Sequence, residues 1–222
     1  MRCAAPAAAS VSYGYHRFVL ALSHLLDVGV LGDIAFSADL VRARNRVVAY
    51  VLREPAYSDL EWVLWLDDDQ WADDPRVVVE MMGLGVDIVG APYTNKRHPM
   101  RWVHQRLAEP REERDGLLEV RGVGLGFTLV SVRALRQLSE AAEAYVDLPH
   151  PHRIPNIFGQ LLDDPAGDGR YTLLSEDYSL CRRWRGQGGS VYLYTRAGLI
   201  RHAGPHTWDA AQMPGGVRPR TA

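Results

Sequence analysis

The chain has 222 residues, 47% of them hydrophobic and 23% charged, which is enough for one large domain with its own core and excludes a wholly disordered protein. A formal charge of −2 argues against broad, sequence-independent attraction to nucleic acid, and two cysteines, Cys3 and Cys181, cannot build a disulfide framework or a cysteine-based zinc site. Lysine occurs once, at Lys96, so the positive side is almost entirely arginine, the side chain suited to bidentate contact with phosphate or carboxylate.

In chain order, "MRCAAPAAAS" has too little apolar length for a secretory signal, and no uncharged apolar run approaches a membrane span. A cytoplasmic protein in a reducing compartment is expected. "RCAAPAA" reads as a first strand, "YHRFVLALSHLL" as a helix, "DIAFS" as a strand and "ADLVRARNRVVAYVL" as a helix. The strand "WVLWLD" follows, and Pro75 opens a helix capped by Asp73 and Asp74. "VDIVGAPY" is the next strand. A polar, irregular stretch from Lys96 to about Leu117 leads to the strand "GFTLVSV" and the helix "RALRQLSEAAEAY". Four prolines and several aspartates make residues 146–170 a long loop, of the kind that is functional or disordered. "SEDYSLCRRWRGQGG" reads as a helix with Ser175 as its N-cap, before the strand "SVYLY" and the ending "IRHAGPHTW". The alternation of strands and helices predicts an α/β fold with a mostly parallel central sheet flanked by helices. Residues 1–210 form a single domain and 211–222, rich in proline, glycine and arginine, a loose tail.

The segment "WVLWLDDDQW" runs an apolar strand into three aspartates. Strand alternation projects Asp67 and Asp69 to one side, with Asp68 on the other face or in the turn. Two carboxylates at the C-terminal edge of a strand make a site for a hard cation, Mn²⁺ or Mg²⁺, whose remaining ligands come from water and phosphate. In "SEDY", Glu176 and Asp177 fit two roles: complementing the helix dipole, or acting as a general base beside a bound donor. His202 and His206 follow an apolar run near the C-terminus and are candidate ligands. His150 and His152 have no partner cysteines that would suggest zinc.

The ordered set "RARN", "LWLDDD", "VDIVGAPY", "GVGLGFTLVS", "SEDYSLCRRWRGQGG" and "IRHAG" resembles the nucleotide-sugar glycosyltransferases of GT-A fold. It is most similar to small bacterial and phage-type members and to the fungal mannan mannosyltransferases. The resemblance spans about Arg42 to His202. It implies a GT-A fold and a transferase that moves a sugar from a nucleoside diphosphate to an acceptor hydroxyl. By that resemblance Asp67 and Asp69, with Asp68 between them, hold Mn²⁺ or Mg²⁺ against the diphosphate, and His202 completes the metal site. Asp177 is the base, with Glu176 beside it. Arg44 and Asn45 lie near the donor, and Lys96 and Arg97 are placed to clamp the diphosphate. Gly126 and Phe127 begin the strand facing the acceptor, and Trp71 either shapes the sugar pocket or packs. The first strand lacks the "PxYN" ending that many members turn toward the nucleotide base.

The expected acceptor is a glycan or small molecule, with a hydroxylated DNA base as an alternative because of Arg182, Arg183 and Arg185. Rival readings are a haloacid-dehalogenase phosphatase, disfavoured by Trp71 two places after Asp69, and a nucleotidyltransferase, disfavoured by the absence of basic residues in "AAPAAASVSYG". A degenerate sugar- or nucleotide-binding module is the non-catalytic alternative.

Overall fold

The computed structural model describes residues 2–4, 13–26, 29–30, 39–97, 99–147, 150–164, 167–198, 200–203 and 208–209. The predicted strand "DIAFS", His206 and the tail 211–222 lie outside them. Described elements run β1 (Arg2–Ala4), α1 (Tyr13–Leu25), β2 (Gly29–Val30), α2 (Leu40–Arg53), β3 (Trp62–Leu66), β4 (Gln70–Ala72), α3 (Arg76–Met82) and β5 (Ile88–Gly90). They continue with β6 (His104–Gln105), β7 (Leu117–Val120), β8 (Gly122–Val123), β9 (Phe127–Ser131), α4 (Val132–Ala141), β10 (Ala144–Asp147) and β11 (His150–Pro155). The last are β12 (Leu162–Asp163), β13 (Thr172–Leu173), α5 (Glu176–Gly186), β14 (Val191–Tyr194), β15 (Ile200–His202) and β16 (Trp208–Asp209).

Seven strands form the central sheet in the order β2-β1-β3-β9-β5-β14-β7. β2, β1, β3, β5 and β14 run one way, and β9 and β7 run the other. The expectation of a mostly parallel sheet is corrected in this respect. β9 inserts antiparallel between β3 and β5, and β7 closes the edge antiparallel to β14, so the sheet is mixed. The cause is the chain path: after β5 the chain leaves the sheet for the irregular stretch, returns at the edge as β7, and then enters between β3 and β5 at Phe127 in the reverse direction. An antiparallel neighbour needs no crossover helix, whereas a parallel one does.

Helices cover both faces of this sheet. Alternate residues of β3 divide between two apolar clusters: Val63 and Trp65 pack with Val47, Val48, Leu135 and Leu180 from α2, α4 and α5, whereas Leu64 and Leu66 pack with Phe18, Leu22, Val78 and Met81 from α1 and α3. Burial on both faces explains why the strand reads as a continuous apolar run.

Four local expectations are corrected. Residues 146–170 are not a single loop, because β10 pairs with β11 and β12 with β13 in two short hairpins. Pro155 pairs with Ala144 at the end of β10–β11, and Pro151 falls where the register shifts between Val146 and Asp147, both positions at which a strand tolerates proline. α4 ends at Ala141, and Ala144–Asp147 turns into β10 instead of extending the helix. Ser175 stands at the N-cap of α5, yet its side chain makes no capping bond. At α3, Asp74 receives the Arg76 backbone N–H at 3.0 Å, whereas Asp73 is drawn away to Arg201 at 2.9 Å.

Candidate functional site

The site lies where β3 and β5 end and β9 begins. The Asp67 N–H donates to the Gly126 carbonyl at 2.9 Å, and the Ala91 N–H donates to the Phe127 carbonyl at 2.9 Å, which aligns the three strand ends along one edge. After Leu66 the chain turns at once, the Gln70 N–H bonding the Asp67 carbonyl at 3.0 Å. The aspartates therefore sit on a turn, not on an extended strand. Their side chains meet different cations: Asp67 faces Arg44 at 3.7 Å, whereas Asp69 pairs with Lys96 and approaches His202 Nε2 at 3.4 Å. Asp68 occupies the turn between them.

β4 follows the turn and pairs with β15, setting His202 opposite Gln70. The Ala203 N–H donates to the Asp69 carbonyl at 2.7 Å, which locks the two segments together. His202 Nδ1 lies 2.8 Å from the Thr94 carbonyl. A carbonyl only accepts, so Nδ1 donates to it and Nε2 is the ring nitrogen turned toward Asp69.

On the other side of Asp67 stands Arg44, 4% exposed on α2 and flanked by the rings of Trp65 and Phe158 at 5.9 and 6.0 Å. Its guanidinium contacts Asp177 directly, Glu176 at 3.0 Å and Asp67, so one cation serves three carboxylates. The imbalance shows in their titration. Burial, reinforced by Asp177 and Asp69, outweighs Arg44 and lifts Asp67 to about 6. Burial and the neighbouring Asp177 likewise raise Glu176. Burial would raise Asp69 too, but His202 and Lys96 beside it prevail and hold it below the usual carboxylate range.

The structure thus brings together Asp67, Asp69, Arg44, Lys96, Glu176, Asp177 and His202. It does not bring Asn45 into the cluster. That fully buried amide bonds Asn156 at 3.0 Å and accepts the Phe158 N–H at 3.1 Å, pinning the segment after β11 onto α2. The three arginines of α5 are likewise built into the scaffold: Arg182 faces Asp163, Arg183 bonds the carbonyls of Ile157 and Gly159, and Arg185 pairs with Glu119. Trp71 packs over Gly14, where a Cβ would lie 2.3 Å from its ring, and lines a cavity of about 550 Å³ with Tyr13, Arg17 and Asp73. Phe127 is a core residue whose ring lies 5.5 Å from that of Phe18, tilted by 57°.

Two residues were missed in the sequence reading. Tyr93 ends "VDIVGAPY"; its buried hydroxyl receives the Gly126 N–H at 3.1 Å, and burial together with the charges of Asp67 and Asp177 pushes its pKa well above the ordinary value. Gln70 is fully buried, and neither its Oε1 nor its Nε2 has a hydrogen-bond partner among the described residues. A glutamine directly after an acidic triplet was the available signal.

Among the described residues no three His, Cys, Asp or Glu side chains close into a metal cage on their own. The donor set nevertheless fits a divalent cation that takes further ligands from water or phosphate. Asp69 Oδ1 is buried without a hydrogen bond, His202 turns its Nε2 toward it, and the neighbouring carboxylates exceed their counter-cations.

No family model matches the sequence, and no curated protein matches it. Among solved structures, that of A197 from STIV is similar over 91% of this chain and 84% of that one, with 18% identity and a TM-score of 0.57. The likeness extends to the fold. This is a mixed α/β protein, and none of its described helices is long and apolar enough to cross a membrane.

Proposed function

We propose that the protein is a metal-dependent glycosyltransferase of GT-A fold, moving a sugar from a nucleoside diphosphate to the hydroxyl of a glycan or small molecule. The observation that carries this reading is the acid surplus at one sheet edge: Asp67, Glu176 and Asp177 share Arg44 beside an Asp69 oxygen that has no hydrogen bond. Asp69 and His202, with Asp67 alongside, would hold Mn²⁺ or Mg²⁺. Once bound, the cation neutralises charge on the departing nucleoside diphosphate. Lys96, already at Asp69, adds positive charge on the same side. Asp177, fixed by Arg44, takes the proton from the acceptor hydroxyl as the new sugar–oxygen bond forms and the sugar–phosphate bond breaks. Glu176 hydrogen-bonds the sugar or the acceptor next to it.

Thermal unfolding against a panel of nucleoside diphosphates, with and without Mn²⁺, tests the reading, because a ligand of the folded state raises the melting temperature. One nucleotide is expected to give a metal-dependent rise that Asp69→Asn removes. Asp177→Asn is expected to keep that rise while sugar transfer falls by about 100-fold or more. If no nucleotide shifts the wild type, the non-catalytic binding module takes the place of the enzyme.

A further inference from the structure

A second constellation lies in the stretch between β5 and β7. Residues 88–108 contain no aspartate or glutamate, yet they carry Lys96, Arg97, Arg101, His104 and Arg106. This stretch folds back on itself. The Val103 N–H bonds the Tyr93 carbonyl at 3.0 Å, Thr94 bridges Trp102, and the Asn95 N–H bonds the Arg101 carbonyl at 2.9 Å. Met100, Arg101, Trp102, His104 and Arg106 then line a cavity of about 360 Å³.

The lining has the chemistry of an anion site. Arg111 and Arg185 both pair with Glu119, whereas among the described residues no carboxylate pairs with the guanidinium of Arg101 or Arg106. His104 Nδ1 is buried and has no hydrogen-bond partner, a polar atom left unsatisfied by the protein itself. Burial, aided by the charge of Arg106, lowers the pKa of His104, so the ring favours its neutral form. Two forked guanidiniums suit a phosphate or carboxylate, and the indole of Trp102 offers a flat face for a ring. The depression is open to solvent, and its volume of about 360 Å³ is of the size of the smaller ligand pockets, about 300–1,000 Å³, enough for one anionic sugar. Its position couples it to the edge described above: Thr94, the partner of Trp102, supplies the carbonyl that orients His202, and Lys96 leaves the same fold-back for Asp69.

We propose that this cavity is the subsite for an anionic group, phosphate or carboxylate, carried by a saccharide acceptor. The role as acceptor subsite rests on the transferase reading, but the anion site itself does not require it. The test is an NMR titration of the intact chain, without metal or nucleotide, with inorganic phosphate, glucose 6-phosphate, glucuronate and neutral glucose. It follows the Trp102 indole N–H and the Nε–H of Arg101 and Arg106. Saturable shifts with at least one of the three anions, absent with glucose and weakened at least 10-fold in Arg101→Gln/Arg106→Gln, are expected. The stronger of the phosphate-bearing and carboxylate-bearing ligands identifies the group. No shift with any anion, equal shifts with glucose, or unchanged binding in the double variant would overturn the site. An oligonucleotide that binds there where small anions do not would assign the surface to nucleic acid and overturn it as well. Anion binding without any metal-dependent nucleotide effect would leave the site standing and remove only its role as acceptor subsite. Transfer to phosphate- or carboxylate-bearing acceptors undiminished in the double variant would remove the acceptor role while leaving the transferase reading intact.

Discussion

Arg44 carries the heaviest electrostatic load of any single residue in the site. It is almost fully buried, it touches Asp177, Glu176 and Asp67, and its Nε has no hydrogen-bond partner. A buried guanidinium among carboxylates is costly to break from one side, because removal leaves the acids uncompensated. Arg44→Met is therefore expected to destabilise the fold by about 3 kcal/mol, read from urea denaturation. Arg44→Lys should recover only part of this, since a single ammonium lacks the fork that reaches several acids. Equal stability of Arg44→Met and wild type would show that the acids find compensation elsewhere. At this scale much of the site was legible in the sequence. Asp67, Asp69, Glu176 and Asp177 stand at a strand end and a helix start, where charge is conspicuous, and Arg44 and His202 joined them through the motif order. Asn45 was misplaced because one helical step turns it from the carboxylates to Asn156, a partner more than a hundred residues away. Tyr93 and Gln70 escaped notice because what distinguishes them is burial, which belongs to the assembled fold.

Among the elements, the turn between β3 and β4 decides how the aspartates are shared out, and Gly126 decides whether that turn can close. A Cβ on Gly126 would lie 2.2 Å from Gln70 Nε2 and 2.7 Å from its Cδ, far inside contact distance. Gln70 is fully buried and cannot simply swing into solvent. Gly126→Ala is therefore expected to cost about 1–3 kcal/mol and to disturb the pairing of β4 with β15 that sets His202 beside Asp69. The measurement is denaturant stability together with the His202 imidazole signals in NMR. An unshifted His202 spectrum would separate the glycine from the histidine's placement. The longer helices α1, α2 and α5, and the buried strand β3, were readable from periodicity and apolar runs. The pairs β10–β11 and β12–β13 were not, since strands of two to six residues broken by proline and charge carry too little pattern to outweigh loop signals. β4 was hidden for the same reason: three residues after an acidic turn have no period to detect.

Across the whole molecule, the α/β class followed from the alternation of elements, while strand direction did not. Hydrophobicity records that β9 is buried on both faces, but a buried run looks alike whichever way it points. The same burial gives a global expectation. β3, β9 and β5 form the middle of the sheet, and most of their residues are fully buried, so their amides should exchange with solvent only through the largest openings. Hydrogen exchange followed by mass spectrometry should find these three strands slowest and the hairpins β10–β11 and β12–β13 faster. Fast exchange in β9 would mean that the inserted strand opens independently of its neighbours.

The edge strand β7 has one more effect. The chain leaves the sheet after Gly90 and returns at Leu117, and Gly90 and Leu118 flank the same residue of β14, Leu193. Everything between them, including Lys96, the Thr94 carbonyl and the arginine-lined cavity, hangs from a closed neck. Such an excursion behaves as a cassette: its interior can be lengthened, shortened or exchanged while both ends keep their places in the sheet, because the cost of a longer loop grows only slowly with its length. The fold thereby separates a fixed frame holding Asp67, Arg44 and Asp177 from a replaceable segment that carries the arginine-lined cavity, so that ligand preference can diversify without rebuilding the core.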